Sequence, residues 1–176
     1  FDQAESALGP VDIVVNNAGI SIVKPALDMP EQDWDSIVDT NLRGAWLVAQ
    51  TAAKRWVAAK RPGAIVNIAS ILGLRTIGQV APYNASKARL IHLTRALAVE
   101  FAPARVNAVC PGIIDTYRMD DVGRGERWQE MLTSRVPLGR AGSGEDIANM
   151  VVYLCSDQGS WISGQLYTVD GGMTAW

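Results

Sequence analysis

The sequence of 176 residues contains one histidine, His92, and only two cysteines, Cys110 and Cys155. These residues show no metal-binding spacing and no disulfide framework, so we expect no metal centre and two reduced, buried thiols. A packing or surface role is expected for His92. Basic residues show no excess either, because 16 Lys and Arg stand against 18 Asp and Glu, for a net charge of −2. Nucleic acid is therefore not an expected partner.

Long apolar runs are absent as well. The longest charge-free, apolar-rich stretch covers residues 62–74 and is too short to cross a membrane. No basic segment followed by an apolar one opens the chain. The composition, 48% hydrophobic and 19% charged, predicts a single soluble globular domain, and the cytoplasm is the expected location.

Four short apolar runs, rich in β-branched residues, alternate with helical patterns. The predicted strands are residues 11–15, 64–69, 105–110 and 166–169. This alternation predicts an α/β fold with a parallel sheet covered by helices on both faces. Ligands bind at the carboxyl ends of such strands. Residues 16–19, Ser70 and the pair Pro111-Gly112 follow the predicted strands and are therefore candidate site residues.

The first long helical pattern opens at Pro30 and carries an apolar stripe as far as Trp56. Asn41 and Gly44 lie inside it although both weaken a helix. Asn41 is consistent either with a local kink or with a side chain placed for a purpose. A second strong helix is predicted from Tyr83 to about Phe101.

The last third of the chain carries two further patterns. Ser143, followed three residues later by Asp146, predicts a capping box that starts a helix ending near Cys155. We favour this over a phosphate-binding interpretation of the surrounding G-x-G. Residues 116–135 are polar and weakly patterned, which favours a mobile lid or binding segment rather than core.

Tyr83 and Lys87 are four residues apart, so they lie on the same face of the predicted helix. A phenol normally titrates near ~10. An ammonium at about 6 Å, in an effective dielectric near 20, favours the phenolate by ~3 kcal/mol, which lowers the pKa by about two units. Tyr83 then becomes a candidate general acid or base, and Ser70 could share a substrate oxygen with it. Taken alone, the same spacing is also typical of a solvated surface pair.

Taken together, the sequence resembles the classical short-chain dehydrogenase/reductase family. The matching motifs are Asn16-Asn17-Ala18-Gly19, Asn41 in a helix, Ser70, Tyr83 with Lys87, Pro111-Gly112 followed by Thr116, and Val169-Asp170-Gly171-Gly172. Each motif is weak alone, but their order and spacing agree across essentially the whole chain. The resemblance implies a Rossmann-like, doubly wound parallel sheet.

The resemblance also implies hydride transfer between the nicotinamide of NAD or NADP and an alcohol or carbonyl carbon of a small molecule. Tyr83 would exchange the hydroxyl proton and Ser70 would orient the substrate oxygen. Lys87 would lower the pKa of the tyrosine and bind the nicotinamide ribose, while Asn41 would help to hold a water in a proton relay. The implied cofactor-binding residues are Asn16, Ala18, Gly19, Tyr83, Lys87, Pro111, Gly112, Ile114 and Thr116.

Family members commonly pair two long helices, here around residues 45–56 and 85–101, with the copies in a second subunit. The resemblance therefore implies a homodimer or homotetramer. It also implies that residues 116–135 fold over the substrate and set selectivity.

The family's opening βαβαβ part, with its glycine-rich turn, has no counterpart here. That part amounts to about 70 residues. We therefore expect the chain to be the C-terminal two-thirds of an NAD(P)-binding Rossmann-fold oxidoreductase, with strand 11–15 at an open edge. The alternative is a non-catalytic fragment that keeps the fold and oligomer contacts but cannot hold the dinucleotide. Epimerase or dehydratase chemistry is disfavoured because residues 16–19 resemble the classical branch.

Overall fold

A computed structural model of the chain describes residues 1–116 and 125–175. Its four strands form one parallel sheet in the order in which they occur in the sequence. They are β1 Ile13–Asn16, β2 Ala64–Ile68, β3 Arg105–Pro111 and β4 Leu166–Val169. The predicted α/β fold with a Rossmann-like parallel sheet is confirmed. Because the strands are parallel, all four carboxyl ends lie at one edge of the sheet.

Six α-helices are present in the described part of the chain. They are α1 Asp2–Leu8, α2 Glu31–Val38, α3 Ala45–Ala59, α4 Ala81–Glu100, α5 Glu126–Arg135 and α6 Gly144–Cys155. The predicted capping box at α6 is confirmed, since the Ser143 side chain and the Asp146 side chain each bond the other's backbone N–H.

The helix predicted from Pro30 onward is not continuous. A wide π-helical turn, Asp39–Gly44, joins α2 to α3 and contains Asn41. Such turns are rare and are frequently found at functional sites. Both interpretations of Asn41 have a counterpart here, because the helix is interrupted at this turn and the Asn41 amide bonds to residues outside its own helix.

Helices cover both faces of the sheet. On one face α3 and α4 bury a cluster that includes Val14, Trp56, Ile65 and Leu97. On the other face α6 packs Leu154 against β2 and β3. Neighbouring side chains of a strand point to opposite faces, so β2 supplies Ile65 to one core and Val66 to the other. Burying each large aliphatic side chain contributes about 1.5–3 kcal/mol.

Strand β1 lies at one edge of this sheet and pairs with β2, as predicted. Helix α6 covers one face of the sheet at β2 and β3. On the same face of β1, Ile13 and Val15 remain 49% and 44% exposed. In the described chain this edge and face are therefore open.

Helix α5 corrects the expectation that residues 116–135 contribute no core. Trp128 and Leu132, one turn apart on α5, are buried against Ile71 and Met173. With the partly buried Met131 they form an apolar stripe on a mostly polar helix, and the overall polarity of the segment conceals this stripe. Residues 117–124 of the predicted lid lie outside the described residues.

Candidate active site

A cleft of about 370 Å³ opens at the carboxyl ends of β1, β2 and β3. It is lined by Asn17, Ala18, Gly19, Ile68, Ala69, Ser70, Tyr83, Lys87, Pro111, Gly112 and Thr116. Most of the predicted site residues, from four separate parts of the sequence, therefore converge on one cavity. Its position at the ends of parallel strands is the one expected for a ligand site in an open α/β sheet.

Lys87 forms part of the buried wall of this cleft. The residue is only 3% exposed, and its Nζ donates a hydrogen bond of 2.7 Å to the carbonyl oxygen of Ile68. The same Nζ lies 5.8 Å from the centroid of the Tyr83 ring, so the two side chains share a helix face, as predicted. Burying an ammonium costs free energy unless polar groups bond to it, and the Ile68 carbonyl is one such group.

Gly19 brings the turn after β1 directly against Lys87. A Cβ atom at position 19 would lie 3.3 Å from the Lys87 Nζ and 3.4 Å from the Asn41 Oδ1. Any side chain here would press on the ammonium. The absence of one lets the backbone of this turn form a wall of the cleft next to Lys87.

Ser70 is placed by the end of β2. It has an extended backbone, and its Oγ accepts a hydrogen bond of 3.1 Å from the Leu72 N–H, which caps the 3₁₀ turn Ile71–Gly73. This contact uses a lone pair of the hydroxyl and leaves its proton free to be donated. Ser70 is 8% exposed and lines the cleft, so its hydroxyl has a fixed position there.

Asn41 acts as a clamp between two segments. Its Nδ2 donates to the Ile20 carbonyl oxygen at 2.9 Å and to the Ser86 Oγ at 3.1 Å, and its Oδ1 accepts from the Ile20 N–H at 2.8 Å. Asn41 is almost fully buried and stands behind the cleft lining. It ties the turn after β1 to the first part of α4, which carries Tyr83 and Lys87.

Asn16, predicted to bind the cofactor, is not among the residues that line the cleft. Its Nδ2 donates to the Asn67 Oδ1 at 2.8 Å and to the Ala45 carbonyl oxygen at 3.2 Å, so its side chain lies between the sheet and α3. The neighbouring Asn17 lines the cleft instead. Asn67 in turn donates to the Thr94 Oγ1 at 2.9 Å, which gives a buried polar chain across β1, β2 and α4.

Sequence reasoning missed Asn67 and Thr94. A signal existed for the first of them, because an asparagine inside the apolar run of β2 needs a polar partner if it is buried. Nothing in the sequence identified Thr94 as that partner.

Ile114 also lies apart from the cleft lining. It forms an isolated parallel bridge with Gly142, where the Asp115 N–H donates to the Gly142 carbonyl oxygen at 2.8 Å. The Gly142 N–H donates to the Ile113 carbonyl oxygen at 2.9 Å. These bonds tie together the two ends of the segment that contains α5. Pro111, Gly112 and Thr116 line the cleft as predicted.

Cys110 precedes Pro111 and is completely buried beside the Ser70 backbone. Burial raises the pKa of its thiol to about 11, against the smaller opposing effects of the Ser70 backbone and the Lys87 charge. The thiol is therefore neutral and unreactive near neutral pH. Both cysteines are free, and Cys110 is buried as predicted, while Cys155 is half-buried.

Within residues 1–116 and 125–175, no cluster of three His, Cys, Asp or Glu side chains is arranged to share a metal ion. His92 is exposed on α4, in agreement with a surface role. None of the described helices has the length and apolar character that crossing a membrane requires.

The fold and the cleft together define a Rossmann-like α/β protein that gathers a serine, a tyrosine and a lysine at the ends of parallel strands. The sequence model of the family described as enoyl-(acyl carrier protein) reductase matches residues 1–174. The chain belongs to the classical short-chain dehydrogenase/reductase family.

Curated relatives support this assignment over nearly the whole chain. The 3-oxoacyl-[acyl-carrier-protein] reductase of Aquifex aeolicus (strain VF5) is 40% identical over 176 residues, which cover 98% of this chain and 69% of that protein. The 2-dehydro-3-deoxy-D-gluconate 5-dehydrogenase of Escherichia coli (strain K12) is 35% identical over 177 residues, with 99% and 70% covered. The chain thus spans about two-thirds of the length of these relatives.

Solved structures show the same fold. A 4-hydroxyisoleucine dehydrogenase complexed with NADH matches with a TM-score of 0.90 and 36% identity, covering 100% of this chain and 74% of that one. A relative from Agrobacterium tumefaciens with bound NADP matches with a TM-score of 0.90 and 37% identity, covering 94% and 68%. Both similar proteins hold a nicotinamide dinucleotide.

Proposed function

We propose that this chain carries the catalytic part of an NAD(P)-dependent oxidoreductase that interconverts an alcohol and a carbonyl compound. The observation that carries the proposal is the convergence of Ser70, Tyr83 and Lys87 on one cleft, with the Lys87 ammonium 5.8 Å from the Tyr83 ring. Family membership and the dinucleotides held by similar structures support the choice of cofactor class.

The residues of the cleft fit the nicotinamide–ribose half of such a cofactor. The wall after β1 is made of Asn17, Ala18 and Gly19, so main chain and small side chains face the cavity. On the opposite side Gly112 packs so tightly that a Cβ would lie 2.7 Å from the Asp170 Cα. Lys87 supplies donors for ribose hydroxyls. When bound, the nicotinamide supplies or accepts the hydride.

The chain's own residues would manage the proton and the substrate oxygen. In the reducing direction the Tyr83 hydroxyl gives its proton to the carbonyl oxygen as the carbonyl carbon gains the hydride, which completes the alcohol. The Lys87 ammonium stabilises the phenolate left on Tyr83. The Ser70 hydroxyl donates a hydrogen bond to the same oxygen, without transferring its proton, and so orients the substrate. Oxidation of the alcohol runs through the reverse transfers.

Asn41 would act indirectly in this scheme. Its described hydrogen bonds hold the turn after β1 against the helix that carries Tyr83 and Lys87. The water-mediated proton relay that the family resemblance implies for Asn41 remains a prediction. So does the role of residues 116–135 in covering the substrate.

Cofactor binding and turnover test the proposal directly. The purified chain is titrated with NADH and with NADPH while the fluorescence of the reduced nicotinamide is followed. It is then assayed against ketones and alcohols, including acyl ketones and sugars. Saturable binding of at least one dinucleotide and consumption of NADH or NADPH with a carbonyl compound are expected. Saturable binding without any turnover would contradict the catalytic role.

A second candidate is a non-catalytic fragment that keeps the fold but does not hold the dinucleotide. It is favoured by the open edge at β1, where Ile13 and Val15 are exposed. The same titration separates the two candidates, because absence of saturable binding to the 176-residue chain supports the fragment.

Assembly into a homodimer or homotetramer belongs to the proposal. It is supported by an apolar groove of about 400 Å³ between α3 and α4, lined in part by Leu42, Trp46 and Leu93. Light scattering after size-exclusion chromatography measures the assembly state. The cytoplasmic location remains a prediction.

A further inference from the structure

Two arginines from distant parts of the sequence meet at one surface depression beside the active-site loop. Arg75 and Arg135, with Ser134 and Met173, line a volume of about 230 Å³. Arg75 follows the 3₁₀ turn that begins after Ser70, and Arg135 ends α5. No acidic side chain contributes to the described lining of the depression.

Neither guanidinium has a carboxylate within ion-pair distance in residues 1–116 and 125–175, although six other Lys or Arg contacts with Asp or Glu occur there. Arg75 uses one donor group, because its Nη1 bonds the Met173 carbonyl oxygen at 3.1 Å. A guanidinium offers five N–H donors, so most of the donors of this arginine remain for a ligand. Two cations at one depression, without a carboxylate partner among the described residues, repel each other and attract an anion.

The depression is connected to the active-site loop by packing. Ile71, the residue after Ser70, belongs to the buried cluster that contains Leu132 of α5 and Met173. The Arg75 N–H also donates to the Ile71 carbonyl oxygen at 2.9 Å. The segments that carry Arg75, Arg135 and Met173 are therefore held to the same cluster as the loop that positions Ser70.

We infer that Arg75 and Arg135 form an oxyanion-binding site that takes the carboxylate or phosphate group of a substrate. This inference rests on the proposed function and narrows its substrate class to anionic carbonyl or alcohol compounds. Guanidinium groups suit the purpose because their planar donors match carboxylate and phosphate oxygens in pairs. A free inorganic anion shares this chemistry and is the other source of the ligand.

The first arm of the test measures binding alone. Inorganic phosphate and succinate are titrated into the 176-residue chain, its variants Arg75→Gln, Arg135→Gln and the double variant, with calorimetry and NMR of the arginine Nε–H signals as readouts. Each single variant is expected to weaken binding by about tenfold or more, since a hydrogen bond to a charged group contributes that much. Arg95→Gln removes the same charge from an exposed position of α4 and serves as the matched control.

Arg75→Lys keeps the positive charge and a donor for the Met173 carbonyl oxygen. Comparing it with Arg75→Gln therefore separates the loss of the anion site from a disturbance of the C-terminal segment. Arg135→Gln touches no such tether and keeps the test interpretable if Arg75→Gln unfolds. Equal binding of phosphate and succinate by the wild-type chain, the double variant and the Arg95→Gln control would overturn the inference.

The second arm measures KM and kcat for matched carbonyl compounds with and without a carboxylate. The double variant is expected to raise KM for the anionic compound by about tenfold, while kcat and the KM for the neutral compound change by less than about twofold. If the variants lose anion binding but KM for the anionic compound does not change, the site binds a free anion and not a group of the substrate. Absence of turnover with either compound refutes the proposed function. The binding measurements still show whether Arg75 and Arg135 bind an anion.

Discussion

The Lys87 ammonium lies 5.8 Å from the centroid of the Tyr83 ring and is anchored at 2.7 Å to the Ile68 carbonyl oxygen. The anchor comes from β2, not from the helix that carries both side chains. The positive charge therefore cannot rotate away from the phenol without breaking a buried hydrogen bond. This fixed charge is the physical basis of the proposed proton transfer.

Tyr83→Phe removes the exchangeable proton and keeps the aromatic ring. We expect turnover to fall by at least ~10²-fold, the usual contribution of a general acid–base group. Affinity for NADH or NADPH should change by less than about twofold, since the ring and Lys87 remain. Steady-state kinetics and fluorescence titration measure the two effects. Tyr153→Phe, on the outer surface of α6, is the matched control, and near-normal turnover of Tyr83→Phe would contradict the assigned role.

Gly19→Ala tests the contact between the turn after β1 and Lys87. The new Cβ would lie 3.3 Å from the ammonium nitrogen, so one of the two groups must move by a few tenths of an ångström. Because small displacements of catalytic groups are costly, we expect kcat to fall by about tenfold while the free energy of unfolding changes by less than ~1 kcal/mol. Gly144→Ala is the control, because its Cβ meets nothing within 4 Å. Equal kcat values for both variants would argue against this contact.

Thr94→Val tests the buried polar chain through Asn67. The substitution preserves shape but leaves the Asn67 Nδ2 without its acceptor, so we expect a loss of about 1–3 kcal/mol in the free energy of unfolding. Urea denaturation measures it. Thr51 of α3 is half-buried, and its hydroxyl makes the same kind of bond in a solvent-exposed position, to the carbonyl oxygen four residues earlier, Leu47, at 2.8 Å. Thr51→Val should therefore cost less than ~0.5 kcal/mol, and equal losses would show that Asn67 does not depend on Thr94.

Asp146→Asn tests how the stability of the fold depends on pH in the acid range. Hydrogen bonds from Arg140 and from the Ser143 backbone hold the pKa of the Asp146 carboxyl well below its ordinary value of 3.8. A lowered pKa in the folded state stabilises the fold above that ordinary value, and the stabilisation is lost as the pH falls below it. The melting temperature of the wild-type chain should exceed that of Asp146→Asn at pH 7, and the difference should shrink below about pH 4.

Glu145→Gln is the control for this comparison, because Glu145 lies in the same helical turn and is exposed. A pH-independent difference between the wild-type chain and Asp146→Asn would mean that packing, not charge, accounts for the effect of residue 146.

Local patterns predicted most of the fold. The last strand and helix α6 begin and end where the sequence indicates, since β-branched alternation and a capping box are local signals. The π-helical turn around Asn41 could not be predicted in the same way. The partners that hold its amide, Ile20 and Ser86, lie 21 and 45 residues away. The apolar stripe of helix α5 could not be recognised locally, because the residues that bury it are far away in sequence. Ile71 lies 57 residues before Trp128, and Met173 lies 41 residues after Leu132.

Within the site, the convergence of Ser70, Tyr83 and Lys87 on one cleft followed from the parallel order of the strands. The placement of Asn16 did not. Its register opposite Asn67 puts its amide between the sheet and α3, and only a strand pairing can reveal this. The motif alone therefore did not reveal that Asn17, and not Asn16, lines the cleft, and the cofactor-binding role of Asn16 stays a prediction.

The paired backbone bonds between Ile113–Asp115 and Gly142 have a consequence for how selectivity could be altered. They use main-chain atoms, so they close the base of the intervening segment whatever side chains it carries. Loop-closure entropy grows only slowly with length, by about 0.6 kcal/mol per doubling. Changes of length or sequence between these two points that keep the buried Trp128 and Leu132 of α5 should therefore be tolerated by the sheet. Grafts of this kind would test the predicted role of residues 116–135 in substrate preference.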